Sequence, residues 1–219
     1  TTAFMFSNFG FEAMIAIFIN AGILTLLFHK QLIEPTNTVD HVRIPLTITA
    51  IHLLFLLGIV VFAHDPVIFM WLLLFFIGYT TAYPKHQNPL ILREALLVGF
   101  FLAGLVVLGG LQGWWLQPIL ETMSPTAVFY GSLVLTAITD NAALTYLGSL
   151  VQGTSPEFKL ALVGGAVAGG GLTVIANAPN PAGLAILRSY FPNAVVSAGL
   201  LFVAAIPPTI VAILALRLL

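Results

Sequence analysis

The chain contains no cysteine, which removes thiolate zinc sites, iron–sulfur ligation, disulfide cross-links and cysteine nucleophiles from consideration. Charge is nearly as scarce. Asp, Glu, Lys and Arg make up 7% of the 219 residues, where a soluble domain carries about 25%. With 7 Lys+Arg, 8 Asp+Glu and a formal net charge of −1, no basic patch exists to follow a phosphate backbone, so nucleic acid is not an expected partner. What fills the space is apolar: 59% hydrophobic residues and a mean hydropathy of +1.06. So few charges cannot cover a water-facing surface, and the chain reads as an all-α, multi-pass integral membrane protein. Thr1-Thr2-Ala3 offers neither an initiating Met nor a charged leader, so a processed or shortened product is expected.

A bilayer core of about 30 Å takes about 20 apolar residues in helical form. Runs approaching that length lie at 11–28, 45–63, 67–83 and 95–111. Between the first two, residues 31–44 hold Glu34, Pro35, Asp40, His41 and Arg43, a loop composition. Pro45 suits a first helical turn, His64-Asp65-Pro66 a tight turn, and 84–89 a stop. The stretch 112–124, with Trp114 and Trp115, suits the membrane interface. About six membrane helices are expected in all. Lys30, Arg43, Lys85, Arg93 and Arg188 outnumber Lys159 and Arg217 on the opposite side, which assigns the first group to the cytoplasm.

The second half of the sequence is interrupted differently. Residues 126–138 are apolar, stop at Thr139-Asp140-Asn141, and resume at 142–151. At about 1.5 Å per residue neither run crosses the core, so a re-entrant helical hairpin is predicted over 125–152. The apolar stretch 158–190 is broken at Asn177-Ala178-Pro179-Asn180-Pro181, where two prolines remove amide donors and stop an α-helix. A final helix is expected over 194–217, kinked at Pro207-Pro208. Gly164, Gly165, Gly169, Gly170 and Gly171 read as a small-residue stripe for close helix packing.

Irregular backbone at membrane depth persists only in protein or against a water-filled cavity, so two breaks imply one shared cavity. Carbonyl ends of half-helices would place partial negative charge near Ile138-Thr139 and Ala176-Asn177, and amide ends partial positive charge near Ala142 and Ala182. Oxygen ligands suit a hard cation such as sodium. Thr139, Asp140, Asn141, Asn177 and Asn180 offer side-chain oxygens, with backbone at Ala178 beside them. Asp140 is the one carboxylate expected deep in the membrane at a break, and such a residue is a functional candidate by default. It can hold a proton or a cation, and competition for it is the simplest basis of exchange. The bland alternative is that Asp140 only caps the second half-helix. Glu12 fits the outer interface. His52 fits a hydrogen-bonded packing residue better than a ligand, and no haem partner histidine stands opposite it.

Thr136-Ala137-Ile138-Thr139-Asp140-Asn141-Ala142-Ala143-Leu144-Thr145, together with the stretch from Gly170 through Asn177-Ala178-Pro179-Asn180-Pro181-Ala182-Gly183, resembles the paired signature of the sodium/proton antiporter family within the ion transporter superfamily. Arsenite permeases and sodium-coupled dicarboxylate carriers are relatives there. The carboxylate carriers have Ser-Asn-Thr at the hairpin tip, whereas an acid is similar to the antiporter branch. The resemblance implies inverted repeats, each with a hairpin and a broken helix, and elevator-like movement. Only one hairpin and one broken helix are found here. Residues 1–30 would then be the last helix of a preceding repeat and 45–219 a transport repeat, completed by an N-terminal half or a second copy, in a homo-oligomer of the bacterial inner membrane.

The expected function is therefore exchange of sodium or lithium for protons, with sodium at Thr139, Asp140, Asn141 and Asn177 and no cofactor besides that ion. A sodium-coupled anion carrier is the rival, with anionic substrate at the half-helix ends Ala142, Ala143, Ala182 and Gly183. A non-transporting subunit of a membrane complex is a third reading. An enzyme is not expected: no His-Glu-x-x-His helix or cysteine is present, and one deep acid makes no aspartyl dyad.

Overall fold

The computed structural model describes residues 2–33, 44–87 and 89–218. The expected loop at 31–44 falls mostly outside them, as does Arg43 of the charge count. Ten α-helices follow in order among the described residues: α1 Thr2–Ile33, α2 Leu46–Val61, α3 Pro66–Ala82, α4 Leu92–Gly109, α5 Gly113–Glu121, α6 Pro125–Ile138, α7 Asn141–Ser149, α8 Pro156–Gly169, α9 Asn180–Leu187 and α10 Ala198–Leu218. No strand occurs among them. Two compact units result, one of 1–32 with 92–219 and one of 33–91.

Helix starts follow local chemistry. Asp65, Ser124 and Ser155 each precede a proline at the first helical position, and each accepts a hydrogen bond from the amide three residues on: Ile68 at 3.3 Å, Ala127 at 3.2 Å and Phe158 at 3.2 Å. The side-chain oxygen satisfies an amide the helix leaves open, and proline lacks one there anyway.

In the smaller unit α2 packs against α3. His52 lies edge-on to Phe76 and Tyr79. Its Nδ1 faces the Ile48 carbonyl at 2.8 Å and its Nε2 faces Gln87 Oε1 at 3.2 Å. Those partners make it a hydrogen-bonded packing residue.

In the larger unit the core lies between α6 and α8, with Val128, Phe129 and Leu133 against Phe158, Ala161, Leu162 and Ala168. The glycine stripe permits this approach. A Cβ at Gly165 would run into the Phe129 carbonyl, and one at Gly169 would lie 2.5 Å from the Leu133 carbonyl oxygen. Position 165 therefore lies beside 129, and 169 beside 133, so the two helices run parallel, and α8 ends at the level of Leu133 while α6 continues to Ile138. The start of α1 and the end of α10 share the lining of one cavity through Met5, Phe9, Ala212 and Leu216. Asn20 also donates to the Pro208 carbonyl at 3.2 Å, so α1 and α10 are antiparallel. Pro207 and Pro208 lie within α10, which continues past them as one helix.

Two helices, over Ala3–Leu32 and Ala198–Leu218, are apolar and long enough to cross a membrane. A third span arises if α4 and α5, bent by 81° at the break between them, count as one. Phe6, Leu26, Val107 and Leu200, each more than half exposed, turn apolar surface outward, as expected of helices solvated by lipid. The protein is an integral membrane protein.

The broken stretch differs from its expected form. Its first helix ends at Gly169, not near Ala176, and the irregular segment runs from 170 to 179. The apolar character of Leu172, Val174 and Ile175 hides three consecutive glycines, the weakest helix formers after proline. Asn180 then holds the segment open by donating to the carbonyls of Gly170 at 2.9 Å and Thr173 at 3.0 Å. The last helix starts at Ala198 rather than 194, after a turn in which Asn193 and Ala194 take φ of 56° and 54°.

Candidate functional site

Because α6 and α8 are parallel, their carbonyl ends point the same way, that of α8 stopping beside the last turns of α6. Each helix end carries about half an elementary negative charge, so this side of the pair is electronegative before any side chain is added. The expected second carbonyl end near Ala176-Asn177 is thus at Gly169-Gly170.

Thr139 and Asp140 leave the helical conformation after Ile138, and Asp140 is extended at φ −149°, ψ 142°. Its carboxylate is 4% exposed. Oδ1 accepts from the amides of Ala142 at 2.8 Å and Ala143 at 3.1 Å, capping α7. No hydrogen bond to Oδ2 occurs among the described residues. The capping role is therefore real, and it uses only one of the two oxygens.

The irregular segment is tied to this tip from several directions. Asn141 donates its amide to the Ala176 carbonyl at 3.1 Å, and Thr173 donates its hydroxyl to the Ala137 carbonyl at 2.7 Å. A cavity of about 600 Å³ is lined by both breaks, with Thr139 and Asp140 from one and Asn177, Ala178 and Pro181 from the other. Its apolar walls are Leu97, Val98 and Phe101 of α4 with Ile138 and Ile175.

Four of the six candidate cation residues, Thr139, Asp140, Asn177 and Ala178, thus share one cavity. Asn141 and Asn180 do not line it. Asn180 instead lines a separate cavity of about 330 Å³ together with Gly183, and its amide nitrogen is committed to the two loop carbonyls. The Thr139 hydroxyl donates to the Leu135 carbonyl at 2.7 Å, leaving its lone pairs available. Thr173 and Phe101 were not singled out from sequence. A threonine in a glycine-rich apolar run and a phenylalanine in an apolar helix carry no local signal of such a role.

Of the amide-end candidates, Ala182 has no hydrogen bond from its N–H among the described residues, and the others are committed. The amides of Ala142 and Ala143 already point at Asp140. At the start of α9, Pro179 and Pro181 have no N–H, Asn180 donates to Asn177, and Gly183 donates to Pro179. Asp140 Oδ2 is left without a hydrogen-bond donor among the described residues, beside the negative ends of two helices, which favours a small hard cation. Among the described residues no three His, Cys, Asp or Glu side chains gather as a metal site, so carbonyl and hydroxyl oxygens would have to complete any cage.

No curated protein and no solved structure matches this chain. Residues 1–219 match the family described as "Putative Na+/H+ antiporter". The chain belongs to that antiporter family.

Proposed function

We propose that this chain exchanges sodium, or lithium, for protons, the two competing for Asp140. The observation that carries this reading is a buried carboxylate that lines one cavity together with residues of both breaks and whose neighbouring amides are already taken. A cation entering the cavity displaces the proton of Asp140. It is then held by the carboxylate, the free carbonyls, the Thr139 hydroxyl and Asn177. In the reverse half-cycle the proton returns and the cation leaves.

The helix pair α6–α7 enters the membrane and returns, meeting the broken stretch at mid-depth. The shorter apolar helices α2 and α3 join the longer ones as spans, giving about six. The α6–α8 pair, being the best-packed part of the larger unit, is the body that moves in an elevator-like step. An N-terminal half or a second copy of this chain supplies the opposing repeat in a homo-oligomer of the bacterial inner membrane.

The test is proton flux in proteoliposomes on addition of sodium, lithium, potassium or an organic anion, with wild type beside Asp140→Asn. Sodium-driven proton release in wild type alone is the expected result. Normal exchange in Asp140→Asn would remove the carboxylate from the mechanism, and flux requiring an anion would move the assignment to the carrier reading.

A further inference from the structure

A helical Ser or Thr buried away from water ordinarily gives its hydroxyl to a carbonyl of the preceding turn. Buried Ser132 does so to Val128 at 2.6 Å, and half-buried Thr145 to Asn141 at 2.7 Å. Thr136 does not. It is 0% exposed, and its Oγ1 is one of two buried side-chain polar atoms without a hydrogen-bond partner among the described residues. The other, on His86, belongs to the smaller unit.

The place of Thr136 gives this orphan its meaning. It sits in the last turn of α6, one turn before Asp140. On its other side is the end of α8, where a Cβ on Gly169 would lie 3.1 Å from Thr136 Cβ. Its side chain therefore packs against the carbonyl end of α8, and its hydroxyl is cut off from water and has no hydrogen-bond partner among the described residues. A buried polar group left unsatisfied in an otherwise bonded segment calls for an unseen occupant such as an ion or a water. The surrounding negative potential selects a cation. A hydroxyl oxygen is a suitable ligand for a small hard monovalent ion, and none of the side chains singled out at the two breaks comes from this far inside α6.

We infer that Thr136 Oγ1 is a ligand of the transported cation, forming its inner wall on the side away from the cavity. This rests on the proposed reading of Asp140 and adds to it a residue with no titratable proton. Thr136 should accordingly control cation affinity and leave the proton half of the cycle untouched.

Thr136→Val keeps shape and removes the oxygen; Thr136→Ser keeps the oxygen; Thr136→Ala serves if the valine variant does not fold. In proteoliposomes Thr136→Val should raise the apparent KM for sodium by about tenfold or more, the scale on which loss of a supporting group weakens ion binding. The maximal rate should be retained, and Thr136→Ser should restore the KM. In detergent the ion-free Thr136→Val protein should melt no lower than wild type, because valine has no hydroxyl to leave unpaired, yet it should lose most of the sodium-induced rise in Tm. A residue that only packs would show wild-type KM and wild-type stabilisation by sodium. That result, or a serine variant as impaired as valine, overturns the assignment. Asp140→Asn run alongside separates the two ideas. Normal exchange in that variant removes the underlying site, whereas its failure beside a normal Thr136→Val removes Thr136 alone.

Discussion

Gly165→Ala is the perturbation that bears most directly on how the fold makes the site. A methyl group there would collide with the Phe129 carbonyl oxygen and approach its carbonyl carbon and Ser132 Cβ to 2.9 Å each, where carbon contacts are comfortable at about 3.5–4.0 Å. The obstacle is backbone on both sides, so no rotamer change relieves it and α6 must separate from α8. Overpacking of this kind costs about 1–3 kcal/mol and occasionally more. Against it stands a gain of about 1 kcal/mol from replacing glycine by alanine inside a helix. With a rigid neighbour the cost belongs at the upper end, so a net loss of about 2 kcal/mol is expected, or a fall in Tm of about 4–8 °C in a chain of this size. Thermal unfolding in detergent, followed by tryptophan fluorescence because no cysteine is available to a thiol dye, measures it. Gly22→Ala in α1 is the control: nothing lies within 4 Å of the added carbon, and its Tm should equal or slightly exceed that of wild type. Separation of the helices also moves their carbonyl ends apart, so the apparent KM for sodium should rise in Gly165→Ala. If Gly165→Ala melts with Gly22→Ala, the two helices are not in backbone contact and the account of the electronegative end fails.

Other substitutions test the supports around this centre. Asn180→Ala removes two hydrogen bonds to loop carbonyls and should cost about 1–3 kcal/mol. Its Tm should fall and its sodium KM rise; an unchanged KM would mean that the segment at 170–179 keeps its shape without the staple. Gln87→Leu removes the Oε1 that faces His52 Nε2 and the donor to the carbonyls of Thr80 and Tyr83. It should likewise lower stability by about 1–3 kcal/mol while leaving sodium KM at the wild-type value, and a change in KM would give His52 and its partners a part in ion handling.

The break at Thr139-Asp140 was legible because a polar triad interrupts an apolar run, and polarity is what hydropathy reads. The Ser-Pro and Asp-Pro starts of α3, α6 and α8 follow capping chemistry, but of these only His64-Asp65-Pro66 was singled out from sequence, as a tight turn. The end of α8 was not, since glycine counts as apolar, and a run through Gly169-Gly170-Gly171 to Ile175 looks continuous although its backbone is not. The close parallel packing of α6 and α8 was also hidden, because it depends on long-range register. That is a property of which glycine meets which carbonyl across 36 positions of sequence. Asn180 shows the same limit from the side of the atoms: its composition promised an oxygen, whereas the fold uses its nitrogen.

Capping and exchange need not compete for Asp140. Oδ1 accepts two amides of α7, so under the proposed exchange both the proton and the cation are left with Oδ2. The cap therefore persists through the whole cycle, and α7 is not unwound and rebuilt at each turnover. This separates two variants that a single-role account would equate. Asparagine caps a helix about as well as aspartate does, whereas alanine at that position costs about 0.5–2 kcal/mol. Asp140→Asn should accordingly insert and melt like the ion-free wild type yet fail to exchange, while Asp140→Ala should fail to exchange and melt lower as well. If both variants melt like wild type in the absence of sodium, the hydrogen bonds from Ala142 and Ala143 contribute nothing to α7. If both melt equally far below wild type, the charge, rather than the oxygen, holds the tip together.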